Sequence, residues 1–133
     1  MKDLKGKVAI ITGSSSGVGA ATARLFASLG CHVVINYNTN SAGAEQVVKD
    51  CEALDVETIC FGGSVAHDSD CEAMVKAAID KWGRVDILVN NAGTTKFVDH
   101  NNLDGLNAED FQRIYGVNVV GCYQMTRAVR AAM

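Results

Sequence analysis

No proline occurs among the 133 residues, where average usage would supply roughly six. That absence carries no functional implication. There is no run of Lys or Arg, and the formal net charge is −3, so nucleic acid and anionic membrane partners are poorly supported. There is no long apolar run either. Val8-Ala9-Ile10-Ile11 near the N-terminus is far too brief for a secretion signal or a spanning helix, and the expected location is cytoplasmic. The five cysteines (Cys31, Cys51, Cys60, Cys71 and Cys122) are odd in number and never form CxxC. Reduced, buried packing residues are the expectation for all of them. The three histidines, His32, His67 and His100, show no metal-ligand spacing with Cys or acids, so no metal is expected.

What remains is ordinary for a globular domain, with 48% hydrophobic and 20% charged residues. The length suits one domain. Lys7 to Thr12 is a short, β-branched apolar run followed by glycines and reads as a buried strand. Val18 to Leu29 carries Val18, Ala21, Leu25, Phe26 and Leu29 on one predicted helical face, with Gly30 at its stop. A second strand is predicted over His32 to Asn36, a helix over Ser41 to Leu54, and a third strand over Glu57 to Phe61. Asp68 to Trp82 has a clear helical stripe ended by Gly83, and Asp86 to Asn90 forms a fourth buried strand. Thr94 to Leu106 reads as a loop. Asn107 is a plausible N-cap for a last helix from Ala108 to about Ala131. Strands that are apolar throughout and joined by helices imply an α/β fold with a doubly wound parallel sheet, Rossmann-like.

The turn after the first strand, Thr12-Gly13-Ser14-Ser15-Ser16-Gly17-Val18-Gly19, has a GxxxGxG spacing. Missing Cβ atoms let a dinucleotide diphosphate approach the backbone, and the following helix offers free N–H groups and a positive dipole end. A glycine-rich turn that merely connects two elements is the plainer alternative, but a strand before it and a helix after it are the required context.

Thr-Gly-x-x-x-Gly-x-Gly here resembles the cofactor fingerprint of the short-chain dehydrogenase/reductase family. Asn90-Asn91-Ala92-Gly93 after the fourth strand and Asn118 in the last helix are similar to two further family signatures, in the same order. The resemblance covers essentially the whole chain. It implies an oxidoreductase that passes a hydride between a nicotinamide cofactor and a small alcohol or ketone. It implies that Gly13, Ser15, Ser16, Gly17, Val18 and Gly19 surround the diphosphate and adenosine ribose, and that Asn91, Ala92 and Gly93 lie beside the nicotinamide end. After strand two, an acid would bind the ribose 2′-hydroxyl and select NAD. The segment Asn36-Tyr37-Asn38-Thr39-Asn40 has none. This favours NADP, with Tyr37 and Asn38 at the site, although no Arg or Lys stands nearby and NAD stays open. Where the family usually has Asp-Val against the adenine, this chain has Ser64-Val65. The resemblance also implies a homo-oligomer formed through the last helix of this chain and the next one of the family.

Of the catalytic group, Asn118 is implied, holding a water in a proton relay. It falls in a predicted apolar stripe of Phe111, Tyr115, Cys122, Met125 and Val129. An amide on a core face needs partners or costs roughly 1–3 kcal/mol. The family's Tyr-x-x-x-Lys does not occur: Tyr37, Tyr115 and Tyr123 are followed four residues later by Ser41, Val119 and Arg127, and Arg does not titrate. The expectation is a single cofactor-binding domain over 1–133, truncated after its fourth major helix and incomplete on the C-terminal side. It is either the first part of an enzyme, a catalytically inactive dinucleotide-binding fragment, or an interaction module.

Overall fold

The computed structural model describes residues 3–133. Strands β1 (Val8–Ile11), β2 (His32–Tyr37), β3 (Thr58–Gly62) and β4 (Ile87–Val89) alternate with helices α1 (Gly17–Ser28), α2 (Ser41–Glu52) and α3 (Asp68–Trp82). A 3-10 turn, Leu103–Gly105, interrupts the loop after β4. Helix α4 (Ala108–Tyr115), a π-helical segment Gly116–Val120 and α5 (Gly121–Val129) then succeed one another without a break.

All strand pairs are parallel, in the order β3-β2-β1-β4. The chain moves outward from β1 to β3 and then returns to the other side of β1. The helices that follow β1 and β4 therefore pack on opposite faces of the sheet, the switch in direction at which sheets of this kind open a crevice. Every residue of β1 is fully buried and alternates between two cores. Ala9 and Ile11 face α1 and α2, whose buried residues are Ala20, Ala23, Ala27, Ala44, Val47 and Cys51. Val8 and Ile10 face the other layer, where α3 supplies Cys71, Met74, Val75 and Ala78 and α5 supplies Met125 and Val129. The expected doubly wound arrangement is thus present.

Three sequence expectations are corrected. The buried face of α1 is Gly19, Ala20, Ala23 and Ala27, whereas Val18 and Leu25 are 77% and 58% exposed. Small side chains let this helix lie close to the sheet, and the larger apolar residues are left outside. The last helix is not continuous, because the π segment inserts one extra residue into a turn, rotating the residues beyond it by roughly 100°. The predicted stripe splits accordingly, with Phe111 and Tyr115 exposed and Met125 and Val129 buried. Asn118 sits in the π segment itself and is exposed, not on a core face. Finally, Cys31, Cys51 and Cys71 are buried as expected, but Cys60 is exposed and Cys122 only half-buried. Cys60 lies on β3, at the outer side of the sheet.

The predicted caps hold. Asn107 Oδ1 accepts from Asp110 N and Asp110 Oδ2 accepts from Asn107 N, a complete capping box. Gly83 ends α3 in the left-handed conformation, φ 72°.

Candidate functional site

The turn after β1 is held from three sides. Gly13 has φ +63°, and a Cβ there would lie 2.8 Å from Ala92 Cα, so the turns after β1 and β4 touch through bare backbone. Ser14 is fully buried. Its hydroxyl donates to Ile11 O at 2.7 Å and accepts from Asn36 N at 2.9 Å. Ser16 is the extended N-cap of α1, with no side-chain bond closing the cap and no acid in the first turn. The first N–H groups of α1 are therefore not satisfied by a capping side chain, the condition that suits an anion.

The turn after β4 is clasped to the first by Thr12 and Asn91. Thr12 Oγ1 accepts from Asn91 N at 3.0 Å and Ala92 N at 2.9 Å. Asn91 Nδ2 donates to Thr12 O at 2.9 Å and Gly13 O at 3.0 Å. Gly19 packs under this clasp: a Cβ on it would meet Asn91 Nδ2 and, at 2.7 Å, Gly13 O. Gly19 thus makes room for Asn91 and lets α1 lie close against the turn after β1. Gly17 and Val18 are exposed at the start of α1 and also fall outside the cleft lining.

At the end of β2, the Tyr37 ring lies over Gly62, where a Cβ would come within 2.8 Å of Tyr37 Cζ and Oη. Asn38, Thr39 and Asn40 are exposed, and Asn40 caps α2 by accepting from Gly43 N at 3.0 Å. After β3, Ser64 N donates to Asp70 Oδ2 at 3.0 Å, and Ala66 N donates to Ser64 Oγ at 3.2 Å. Val65 is buried beneath α5, whose Gln124 Nε2 donates to Val65 O at 2.7 Å.

The opposite wall is built around Thr94. Asn118 accepts from Thr94 N at 2.8 Å and donates to Thr94 O at 3.0 Å, so both ends of its amide hold that loop. Arg113 Nη1 donates to Thr94 Oγ1 at 2.9 Å. Lys96 reaches Asp110 at 3.0 Å. The hydrogen bond from Lys96, and then that from Asn107 N, hold the Asp110 carboxyl below its usual range.

Together these turns enclose a cleft of about 850 Å³. The structure brings Gly13, Ser15, Ser16, Tyr37, Asn38, Ser64, Val65, Asn91, Ala92 and Gly93 to its lining. Asn118 stands one step back, behind Thr94. Among the described lining residues there is no Asp or Glu, while Arg113 and His67 are present. Hydroxyls, amides, backbone N–H groups and one guanidinium, with no carboxylate, suit an anionic ligand, so the residues present fit a dinucleotide diphosphate. Sequence reasoning missed Asn36, Ser14 and Arg113. A polar residue closing an apolar strand was the available signal for Asn36; none pointed to Arg113.

A family model described as short chain dehydrogenase matches residues 7–133. A 3-oxoacyl-[acyl-carrier-protein] reductase of Synechocystis sp. is 37% identical over all 133 residues, which cover 53% of that protein. An uncharacterized oxidoreductase of Methylorubrum extorquens is 38% identical over 128 residues, 96% of this chain and 50% of the relative. The chain thus spans about half the length of the curated relatives it matches. A short chain dehydrogenase from Burkholderia cenocepacia, solved in complex with NADP, superposes with a TM-score of 0.91 at 33% identity, over 98% of this chain and 52% of that one. A 3-ketoacyl-(acyl-carrier-protein) reductase from Brucella melitensis, complexed with NADH, gives a TM-score of 0.86 at 41% identity, over 98% and 51%. With its glycine turn, its Asn91 clasp and its four-stranded portion of the parallel sheet, the chain belongs to the short-chain dehydrogenase/reductase family.

Proposed function

We propose that this chain forms the dinucleotide-binding part of an NAD(P)-dependent oxidoreductase acting between an alcohol and a ketone. The observation that carries this is the cleft itself. The turns after β1 and β4 are locked together beside an N-terminus of α1 that lacks a capping side chain and an acid in its first turn. When bound, the nicotinamide cofactor would supply the hydride donor or acceptor. Gly13, Ser15, Ser16 and the backbone leading through Gly17 and Val18 into α1 would hold its diphosphate. Gly19 would act through the close packing it allows. Tyr37 and Asn38 would border the adenosine ribose, Ser64 and Val65 the adenine. Asn91, Ala92 and Gly93 would flank the nicotinamide end. Asn118 would support that end by fixing the Thr94 backbone.

The cofactor we favour is NADP. Among the described residues no carboxylate lines the cleft, so none of them repels a 2′-phosphate there, and neutral donors from Tyr37 to Asn40 would receive it. Fluorescence titration with NADPH and NADH tests both steps. Binding of NADPH tighter than NADH is expected. Saturation with neither would overturn the dinucleotide reading, and equal or tighter NADH binding would overturn the NADP preference.

For the 133-residue polypeptide alone, we propose binding without turnover, since no Tyr-x-x-x-Lys occurs in it. Ketone-dependent NADPH oxidation by the purified chain would refute this. Cytoplasmic residence, homo-oligomerisation of the whole protein and a substrate of the alcohol or ketone class belong to the same proposal. No helix among the described residues is long and apolar enough to cross a membrane. Exposed Phe111, Tyr115 and Tyr123 on α4 and α5 support an association surface there, which light scattering would test.

A further inference from the structure

We propose that Asn36 is a positioning residue: its amide fixes the separation of the two cleft walls that would grip the adenosine half of the cofactor. This rests on the dinucleotide reading of the cleft. Asn36 closes β2, is only 2% exposed, and forms part of the cleft floor. Its Oδ1 accepts from Gly13 N at 3.0 Å, on the diphosphate side. Its Nδ2 donates to Phe61 O and Gly63 O, both at 3.1 Å, on the adenine side. Its own peptide group is paired twice with Ser14: Asn36 N donates to Ser14 Oγ, and Asn36 O accepts from Ser14 N, both at 2.9 Å.

The chemistry of the position is narrow. One wall offers a donor and the other offers two carbonyl acceptors, so the bridging group must both accept and donate. A carboxylate can serve Gly13 N but turns its second oxygen toward the Phe61 and Gly63 carbonyls. An aliphatic side chain serves neither wall and leaves buried polar groups unpaired. Asparagine is neutral, short and two-sided. It therefore ties Gly13 to Gly63, and through Gly63 to Ser64, whatever the occupant of the cleft. Binding groups perform best when supporting bonds hold them in place before the ligand arrives.

The test compares wild-type chain with Asn36→Ala and Asn36→Asp, well below the lowest melting temperature, by amide hydrogen exchange and NADPH titration. In Asn36→Ala, exchange at both Gly13 and Ser64 should rise, while Ala23 in α1 and Met74 in α3 keep their protection. In Asn36→Asp, Gly13 should stay protected and only the Ser64 side should loosen. NADPH affinity should fall at least about tenfold in both variants, the order expected for losing two or more buried hydrogen bonds. Uniformly faster exchange across the chain, or NADPH affinity within twofold of wild type, would overturn the proposal. Should Asn36→Ala yield no folded protein, Asn36→Asp decides by the same readouts. Should the wild type bind neither NADPH nor NADH, the dinucleotide reading falls by that result. The exchange pattern still decides whether Asn36 couples the walls.

Discussion

Replacing Gly19 by alanine adds one methyl group where three segments meet. That Cβ would lie 2.7 Å from Gly13 O and 3.0 Å from Ser14 Cα, and would collide with Asn91 Nδ2. The first two neighbours are backbone of the turn after β1 and cannot swing aside, so α1 must shift on the sheet. Overpacking of this kind costs about 1–3 kcal/mol. Moving the Asn91 amide gives up its bonds to Thr12 O and Gly13 O, worth roughly 0.5–1.5 kcal/mol each. The sum is about 2–6 kcal/mol. Unfolding entropy near 2.1 cal/mol/K per residue gives about 0.28 kcal/mol/K for this chain, so Tm should drop by roughly 7–20 °C. Gly17→Ala is the control. Its Cβ would meet nothing within 4 Å, and only the left-handed φ of +57° is strained. That costs about 1–2 kcal/mol, or roughly 4–7 °C. Calorimetric melting of the three proteins without ligand decides. A Gly19→Ala chain melting no lower than Gly17→Ala would refute the close-approach reasoning and the role given to Asn91.

Tyr37→Asp would put a carboxylate where the 2′-phosphate is proposed to lie; NADPH affinity should fall at least about tenfold while NADH affinity holds or improves, as read by titration. Asp86 accepts from Arg84 and from Val8 N; the Arg84 bond foremost, then the Val8 amide, hold its carboxyl below the usual carboxylate range. Its contribution to stability is therefore complete above the unfolded carboxylate value of about 3.9 and is lost as pH falls below it, so Asp86→Asn should flatten the Tm decline on the acid side of about pH 4. A decline as steep as wild type would dismiss that linkage. Burial, with Asp86 and then Asp68 adding to it at Cys31 and Cys71, pushes Cys31, Cys51 and Cys71 up to about 11. At pH 8 only about a thousandth of each is thiolate. Native alkylation read by mass spectrometry should mark exposed Cys60 first and Cys122 next, with the other three protected until unfolding.

The strand and helix order was legible because parallel strands buried on both faces are apolar throughout, as in Val8-Ala9-Ile10-Ile11. The glycine turn was legible for a similar reason: only glycine serves a φ of +63° beside another backbone. Faces were harder to read. Hydrophobic periodicity favours large residues and pointed to Leu25 on α1, whereas closeness to the sheet selected Ala20, Ala23 and Ala27. No periodicity signals a π turn, so the phase shift that parts Tyr115 from Met125 was invisible. Nor does sequence spacing reveal a three-dimensional bridge, which is why Asn36 read only as the end of a strand and the start of a segment without an acid, while Thr12 and Asn91 were known only as motif letters.

The Thr12–Asn91 clasp spans 79 residues of chain. Its partners lie in the turns that follow β1 and β4, so the two cleft walls meet only when both strands are in the sheet. The loop between them must close before any of its bonds can form, and contacts that distant slow the search for the native state. During synthesis, a chain that has emerged only as far as α3 holds the complete glycine turn but has no wall to set against it. Once β4 has docked beside β1, a ligand held between the two turns would add its binding energy to the stability of this part of the sheet, so the supply of that ligand would govern how long the chain persists.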